Sequence, residues 1–271
     1  MSFNESNTVE QMILDTAASL GSSEVRSVVR EEPPSCWSGG IQSARWTFVA
    51  PEKVPRKFGD VIVLPWLREA LIRLNPEIAA QPDRADEVIY LLNAILLSVH
   101  SDGLVKANEN FMAWLRGEKT MPFGENNQHV PIRLLDTAEP SKNQSVLTNQ
   151  WVYEIGTVKK RFDVVFLING LPLVIGEAKT PTRSAVTWFD GAYQVNEIYE
   201  KQIPAMFVPN VFSFATDGRA YRYGSIRMPI DIWGPWRTEE NEAEGTLADV
   251  RRTLESMVRP DVVLDLSLIH I

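Results

Sequence analysis

Three residues stand out for the chemistry that their types and spacing allow. Asp163 precedes the apolar run 164–168, and Glu177 and Lys179 follow the apolar run 171–175. Asn169-Gly170 between the runs is the strongest short signal for a two-residue hairpin turn. Asp163 lies six residues before Asn169, and Glu177 seven after Gly170. Antiparallel pairing therefore brings both carboxylates to one end of the hairpin. Glu177 and Lys179 are two apart and share a strand face. Two carboxylates and an ammonium beside strands this apolar are costly unless they pair or hold an ion. Hydrolysis of a phosphodiester uses such a set. Carboxylates hold Mg²⁺ through hard oxygen ligands, the ion polarises the phosphate and acidifies water, and a lysine orients that water or stabilises charge on the phosphate. A strand-end salt bridge between Lys179 and one carboxylate is the other reading of the same residues.

The elements that must position these groups are legible in outline. Residues 151–157, 161–168 and 171–178 are short runs rich in Val, Ile and Phe, as adjacent strands are. Both central runs are apolar enough to be buried on two faces. A helix is expected over about 185–201, and later strands over 207–215 and 220–223, turning at Thr216-Asp217-Gly218. Helical spacing of apolar residues predicts helices over about 6–20, 64–74, 84–99, 106–115 and 247–257. The stretch 64–118 reads as a helical insertion with no chemistry of its own. Residues 22–42, with Pro33, Pro34, Gly39 and Gly40, read as a loop, and 130–135 as a possible strand. The fold class expected is α/β (α+β), a mixed central sheet flanked by helices.

The chain has 271 residues and a formal net charge of −8. That balance excludes a simple basic nucleic-acid coat, and DNA contacts would need a local basic patch or another subunit. Lys159, Lys160 and Arg161 form such a run beside Asp163, readable equally as a phosphate contact or a solvated turn. No stretch reads as a membrane span or a signal peptide, and Cys36 is the single cysteine, so an internal disulfide is excluded and a cytoplasmic setting is expected.

The segment Arg161-Phe-Asp163-Val-Val-Phe-Leu-Ile-Asn-Gly170-Leu-Pro-Leu-Val-Ile-Gly-Glu177-Ala-Lys179 closely resembles the nuclease motif of type I restriction enzyme R subunits, members of the PD-(D/E)xK superfamily. The usual proline before the aspartate is Phe162 here. The resemblance implies a PD-(D/E)xK core, with Asp163 and Glu177 as Mg²⁺ ligands and Lys179 as the catalytic lysine. It offers Glu10, on the first helix, as an upstream carboxylate near the metal, with Glu69 a second candidate. An exposed helix-start carboxylate is an equal reading of Glu10. R subunits carry a Gln-x-x-x-Tyr motif after the lysine. Gln194 matches its glutamine, whereas Tyr199 comes one residue late and would lie well round an α-helix. Weaker likeness runs from about 61 to 119, through Leu67-Arg-Glu-Ala-Leu71, Leu74-Asn-Pro76 and Leu104-Val-Lys-Ala-Asn108, and over 207–218.

The resemblance implies an endonuclease domain over 1–235. Residues 236–271 would be a linker toward an ATP-dependent motor, the text near Val263-Leu-Asp-Leu266 resembling the approach to it. The apolar end over 262–271 reads as a chain cut from a longer one. No Gly-x-x-x-x-Gly-Lys-Ser/Thr phosphate loop is present, so ATP would belong to the full-length protein. The partners implied are double-stranded DNA and the methyltransferase and specificity subunits of the complex. The chain alone is expected to cut poorly. Two other functions compete: a superfamily nuclease from a repair or mobile-element system, and a non-catalytic module tethering a motor to a methyltransferase. His100, His129 and His270 show no metal spacing, and Trp233 and Trp236 read as packing residues.

Overall fold

The computed structural model describes residues 7–20, 45–180, 186–237 and 243–269. The loop expected over 22–42, Cys36 and His270 lie outside the described residues.

The central sheet has six strands in the order β1 (Thr47–Phe48), β4 (Ser145–Ile155), β5 (Val158–Ile168), β6 (Leu171–Ala178), β7 (Phe212–Thr216) and β8 (Tyr221–Gly224). The pairs β1–β4 and β6–β7 are parallel and the others antiparallel, so the sheet is mixed as expected. A separate two-stranded ribbon pairs β2 (Thr120–Met121) with β3 (Val130–Pro131). It is all that forms of the strand expected over 130–135, because Pro131 cannot continue a ladder.

The β5 and β6 runs Val164–Ile168 and Leu171–Ile175 are buried on both faces. Helices cover them because strands this apolar cannot face water. Along the chain these are α1 (Asn7–Ser19), α2 (Leu64–Leu74), α3 (Pro76–Ala80), α4 (Arg84–Asp102), α5 (Leu104–Leu115), α6 (Trp188–Tyr193), α7 (Glu200–Gln202), α8 (Leu247–Met257) and α9 (Pro260–Leu268). One cluster of buried side chains runs from Val9 through Leu67, Phe111, Phe166 and Phe214 to Leu264. The helical stretch 64–118 shares that core, and Asn108 of α5 donates to the carbonyls of Val208 and Asn210. Beyond residue 236, α8 and α9 pack against this same core, α8 on α1 and α9 on α5. Met257 and Leu264 are fully buried, and the Trp46 indole donates to the Val258 carbonyl at 2.6 Å.

Two irregularities shape the site. Register along the β5–β6 hairpin runs Ile168↔Leu171 and Leu167↔Pro172, then shifts to Phe166↔Val174, Val165↔Ile175 and Val164↔Gly176. Leu173 is therefore an extra residue, a β-bulge. Its carbonyl accepts from Val211 N at 2.8 Å, so the bulge leaves that group satisfied. The second lies between α6 and α7. Residues Gln194–Tyr199 form a π-helical turn, so Trp188 to Gln202 is one continuous but unevenly wound helix. Thr187 starts it with a capping box to Asp190. The helix expected from about 185 thus begins at Trp188.

Candidate active site

The bulge decides which way Glu177 points. Counted from the turn without it, Asp163 would pair with Gly176, and Glu177 would join Phe162 on the other face. With one residue absorbed at Leu173, the register extends from Val164↔Gly176 to set Asp163 beside Glu177. Residues directly opposite on neighbouring strands share a face. Asp163 Oδ2 accepts from the Ala178 amide at 2.9 Å, which fixes the aspartate against the end of β6.

Glu177 is 2 % exposed. Its Oε1 accepts from Lys179 Nζ at 2.8 Å, while Oε2 has no hydrogen-bond partner among the described residues. Lys179 also donates to Gln194 Oε1 at 2.7 Å. The Gln194 amide donates to Tyr199 Oη, whose own proton goes to the Arg161 carbonyl at 3.2 Å. A continuous polar relay thus runs from Glu177 through Lys179, Gln194 and Tyr199 to the backbone of β5. Gly191 allows the helix to approach. A Cβ there would lie 3.1 Å from Ala215 Cβ and 3.4 Å from Glu177 Cγ.

Tyr199 departs from its expected position. Five residues advance an ideal α-helix by about 140° beyond a full turn, but the π turn is wider and returns residue i+5 toward residue i. The extra residue between Gln194 and Tyr199 is taken up there, and Tyr199 lines the site.

Asp163, Glu177, Lys179, Gln194 and Tyr199 border an open cleft of about 800 Å³, with Lys160 and Arg161 on its rim. Of the two upstream carboxylates, Glu10 comes nearer. Its Oε1 accepts from Asn149 Nδ2 and its Oε2 from Gln150 Nε2, each at 2.8 Å. Its charge helps to raise the Asp163 pKa. Glu10 is not among the residues lining the cleft. Glu69 is exposed on α2, whose first turn packs on Gly170 at the opposite end of the hairpin. Among the described residues no group of three or more His, Cys, Asp or Glu side chains is close enough to hold a metal.

Sequence reasoning does not find Asn149 and Gln150. Gln150 has φ 48°, a left-handed conformation costing a non-glycine residue about 1 kcal/mol or more. It interrupts the β4–β5 ladder between Asn149↔Val164 and Trp151↔Phe162, across from Asp163. No sequence signal marks it, since glutamine is not a turn residue.

Electrostatics follow from burial. Desolvation, then the nearby charge of Asp163, push the Glu177 carboxyl up to about 8, against the opposing pull of Lys179. Asp163 is also raised, chiefly by desolvation, with the Ala178 amide and Lys179 opposing. Burial and the Glu177 charge raise the Tyr199 phenol to about 12, so it remains a proton donor. A half-buried and a buried acid that both resist ionisation, one with an unpaired oxygen beside the cleft, suit a cation that replaces a bound proton.

His100 is exposed and His129 contacts Thr120 at 3.0 Å, away from the cleft. Trp233 is buried with its indole donating to the Met228 carbonyl, and Trp236 packs edge-on against Tyr223.

The mixed sheet flanked by helices, with an Asp, Glu and Lys set at a strand end, is consistent with the core of a PD-(D/E)xK nuclease. Residues 40–229 match the family described as the type I restriction enzyme R protein N terminus, and the chain belongs to that family. It is 28 % identical over 242 residues to the type I restriction enzyme HindI endonuclease subunit of Haemophilus influenzae, covering 83 % of this chain and 22 % of the relative. A second relative, from Methanocaldococcus jannaschii, is provisionally named the MjaIXP type I restriction enzyme endonuclease subunit. It is 28 % identical over 135 residues, covering 48 % of this chain and 13 % of its own length. The chain spans about a fifth of the length of the first of these relatives and less of the second. No described helix is long and apolar enough to cross a membrane.

Proposed function

We propose that the cleft is the catalytic centre of a metal-dependent DNA endonuclease, acting within a longer type I restriction subunit. The observation that carries this reading is the meeting of Asp163, Glu177 and Lys179 at one strand end, with Glu177 Oε2 buried and unpaired. Asp163 and Glu177 would hold Mg²⁺, which commonly takes one or two carboxylates and completes its shell with water and substrate phosphate. When bound, the ion would supply Lewis-acid polarisation of the scissile phosphate and acidify water. The chain's own residues do the rest. Lys179, held between Glu177 and Gln194, orients the attacking water and neutralises charge developing on the phosphate. Gln194 and Tyr199 keep the lysine from swinging into solvent. Glu10, fixed by two carboxamides, adds negative charge behind the metal site and is available to it through water.

ATP-driven translocation, the methyltransferase and specificity subunits, and a boundary near 235 beyond which the chain leads to a motor belong to this same proposal. The test uses the complete restriction complex. Asp163→Ala, Glu177→Ala and Lys179→Ala should each abolish DNA cleavage and leave ATP hydrolysis in place. A mutant that cuts at the wild-type rate removes that residue from the mechanism. Calorimetric titration with Mg²⁺ or Mn²⁺ separates the nuclease from a tethering module, which predicts equal binding to wild type and Asp163→Ala.

A further inference from the structure

We infer that the projecting end of the β4–β5 hairpin is a binding arm for the DNA backbone, with Lys160 and Arg161 contacting phosphates beside the one that is cut. The inference rests on the nuclease reading of the cleft.

Laddered pairing between β5 and β6 begins only at Val164↔Gly176, and β6 ends at Ala178, so residues 158–161 of β5 run past the end of β6. That free edge forms one wall of the cleft, and Lys159, Lys160 and Arg161 all border it. Lys159 is occupied, pairing with Glu154 at 3.1 Å and lying over the Phe58 ring. Lys160 and Arg161 have no carboxylate within ion-pair distance among the described residues. Arg161 is exposed, and it stands two residues from Asp163, roughly 7 Å along the strand. Lys160 Nζ lies 5.8 Å from the centre of the Tyr199 ring on the other flank.

The backbone beneath these cations is braced. The Arg56 guanidinium lies 3.4 Å over the Trp151 ring and donates to the Val152 carbonyl. Val152 and Tyr153 are the register partners of Arg161 and Lys160. The Glu154 amide donates to the Phe58 carbonyl at 3.0 Å, and the Arg161 carbonyl is held by Tyr199. A braced backbone under uncommitted cations loses little freedom on binding a polyanion.

Charge gives the arm its purpose. The chain carries a net −8, and apart from the arm the cleft holds the acids Asp163 and Glu177 against the single ammonium of Lys179. A phosphate backbone approaching such a cleft is repelled unless cations lie within about one Debye length, roughly 8–10 Å. Lys160 and Arg161 stand within that distance along the strand. They contact phosphates rather than bases, so they position DNA without reading its sequence.

The test is duplex binding by the 271-residue chain, measured by fluorescence anisotropy with a labelled duplex of about two helical turns in EDTA over a salt series. For Lys160→Gln/Arg161→Gln, the slope of log affinity against log salt should fall by about 1.8, from roughly 0.9 per phosphate contact. Affinity at low salt should fall at least tenfold. The charge-conserving Lys160→Arg/Arg161→Lys should keep the wild-type slope, as should Arg133→Gln near the turn end of the β5–β6 hairpin. Melting curves check that each variant folds. An unchanged slope in the folded glutamine variant, or a wild-type chain that binds no duplex at any salt, overturns the arm. Asp163→Asn separates this failure from that of the nuclease reading: with one repelling carboxylate gone it should bind duplex no more weakly than wild type and, in the complete complex with Mg²⁺, fail to cut.

Discussion

At the turn end of the β5–β6 hairpin, Asn169 is fully buried and every polar atom of its side chain is used. Its oxygen accepts from the Gln144 amide and Arg73, and its amide donates to the Leu134 carbonyl and Asn143. At the open end, Glu177 is nearly as buried and keeps one oxygen without a partner. The same two strands therefore carry a polar group at each end, one closed and one left open. A satisfied buried network fixes a structure, whereas an unsatisfied one has a residual capacity to bind. The contrast separates residues that hold the fold from residues that are kept for a ligand.

Mutations should split along that line. The largest effect is expected from Asp163→Asn in the complete complex, with cleavage lowered by about 10³-fold or more and the melting temperature of the chain no lower than wild type. A clear loss of stability would mean that the open end is structural after all. Next is Asn169→Ala, which strands several buried groups and should cost about 2–4 kcal/mol in denaturant unfolding without altering Mg²⁺ affinity.

Glu177→Gln sharpens the comparison through pH. An acid whose pKa is raised on folding, here from about 4.5 to about 8, binds more protons folded than unfolded between those values. The metal-free wild-type chain therefore loses stability as pH rises through that window. Glu177→Gln should melt several degrees above wild type at pH 8 in EDTA and close to it below pH 4.5. Equal melting temperatures at the upper end of the window would show that Glu177 ionises without strain. Mg²⁺ affinity of the wild type should rise with pH up to about 8, with proton release detectable by calorimetry in buffers of different ionisation enthalpy. The smallest effect is expected from Gln150→Gly. It relieves the left-handed strain but frees Glu10 from one carboxamide, so stability should change by less than about 1 kcal/mol while Mg²⁺ binding weakens.

Much of the site is readable from residues alone because the hairpin is locally encoded. The Asn-Gly turn, the apolar strands and the Asp, Glu and Lys at their ends all lie within 163–179. Helices with clear apolar stripes, such as Leu64–Leu74 and Leu247–Met257, lie at the bounds that periodicity gives them. What escapes depends on contacts distant in sequence. The position of Glu10 is set by Asn149 and Gln150, about 140 residues away. Tyr199 escapes because ideal helical geometry carries it away from Gln194. The one-residue excess in the Gln194–Tyr199 spacing is itself the sign of a wider turn. The seven-against-six count on either side of Asn169-Gly170 is likewise the sign of the bulge. The fold of residues 243–269 onto the core is hidden because their burial depends on α1 and α5, which periodicity does not pair with them.

The bulge at Leu173 has a consequence for how this site tolerates insertions and deletions. Between the turn and Glu177 the residue count has a parity, and the bulge sets it. Removing one residue from β6 with the bulge retained would leave the Glu-x-Lys text intact while rotating both side chains into the opposite layer of the protein. Removing two would restore their direction at the cost of a shortened strand. A related chain can therefore keep every lettered element of the site and still be unable to assemble it. An odd count from the Asn-Gly turn to the glutamate builds the site only with the bulge, and an even count only without it.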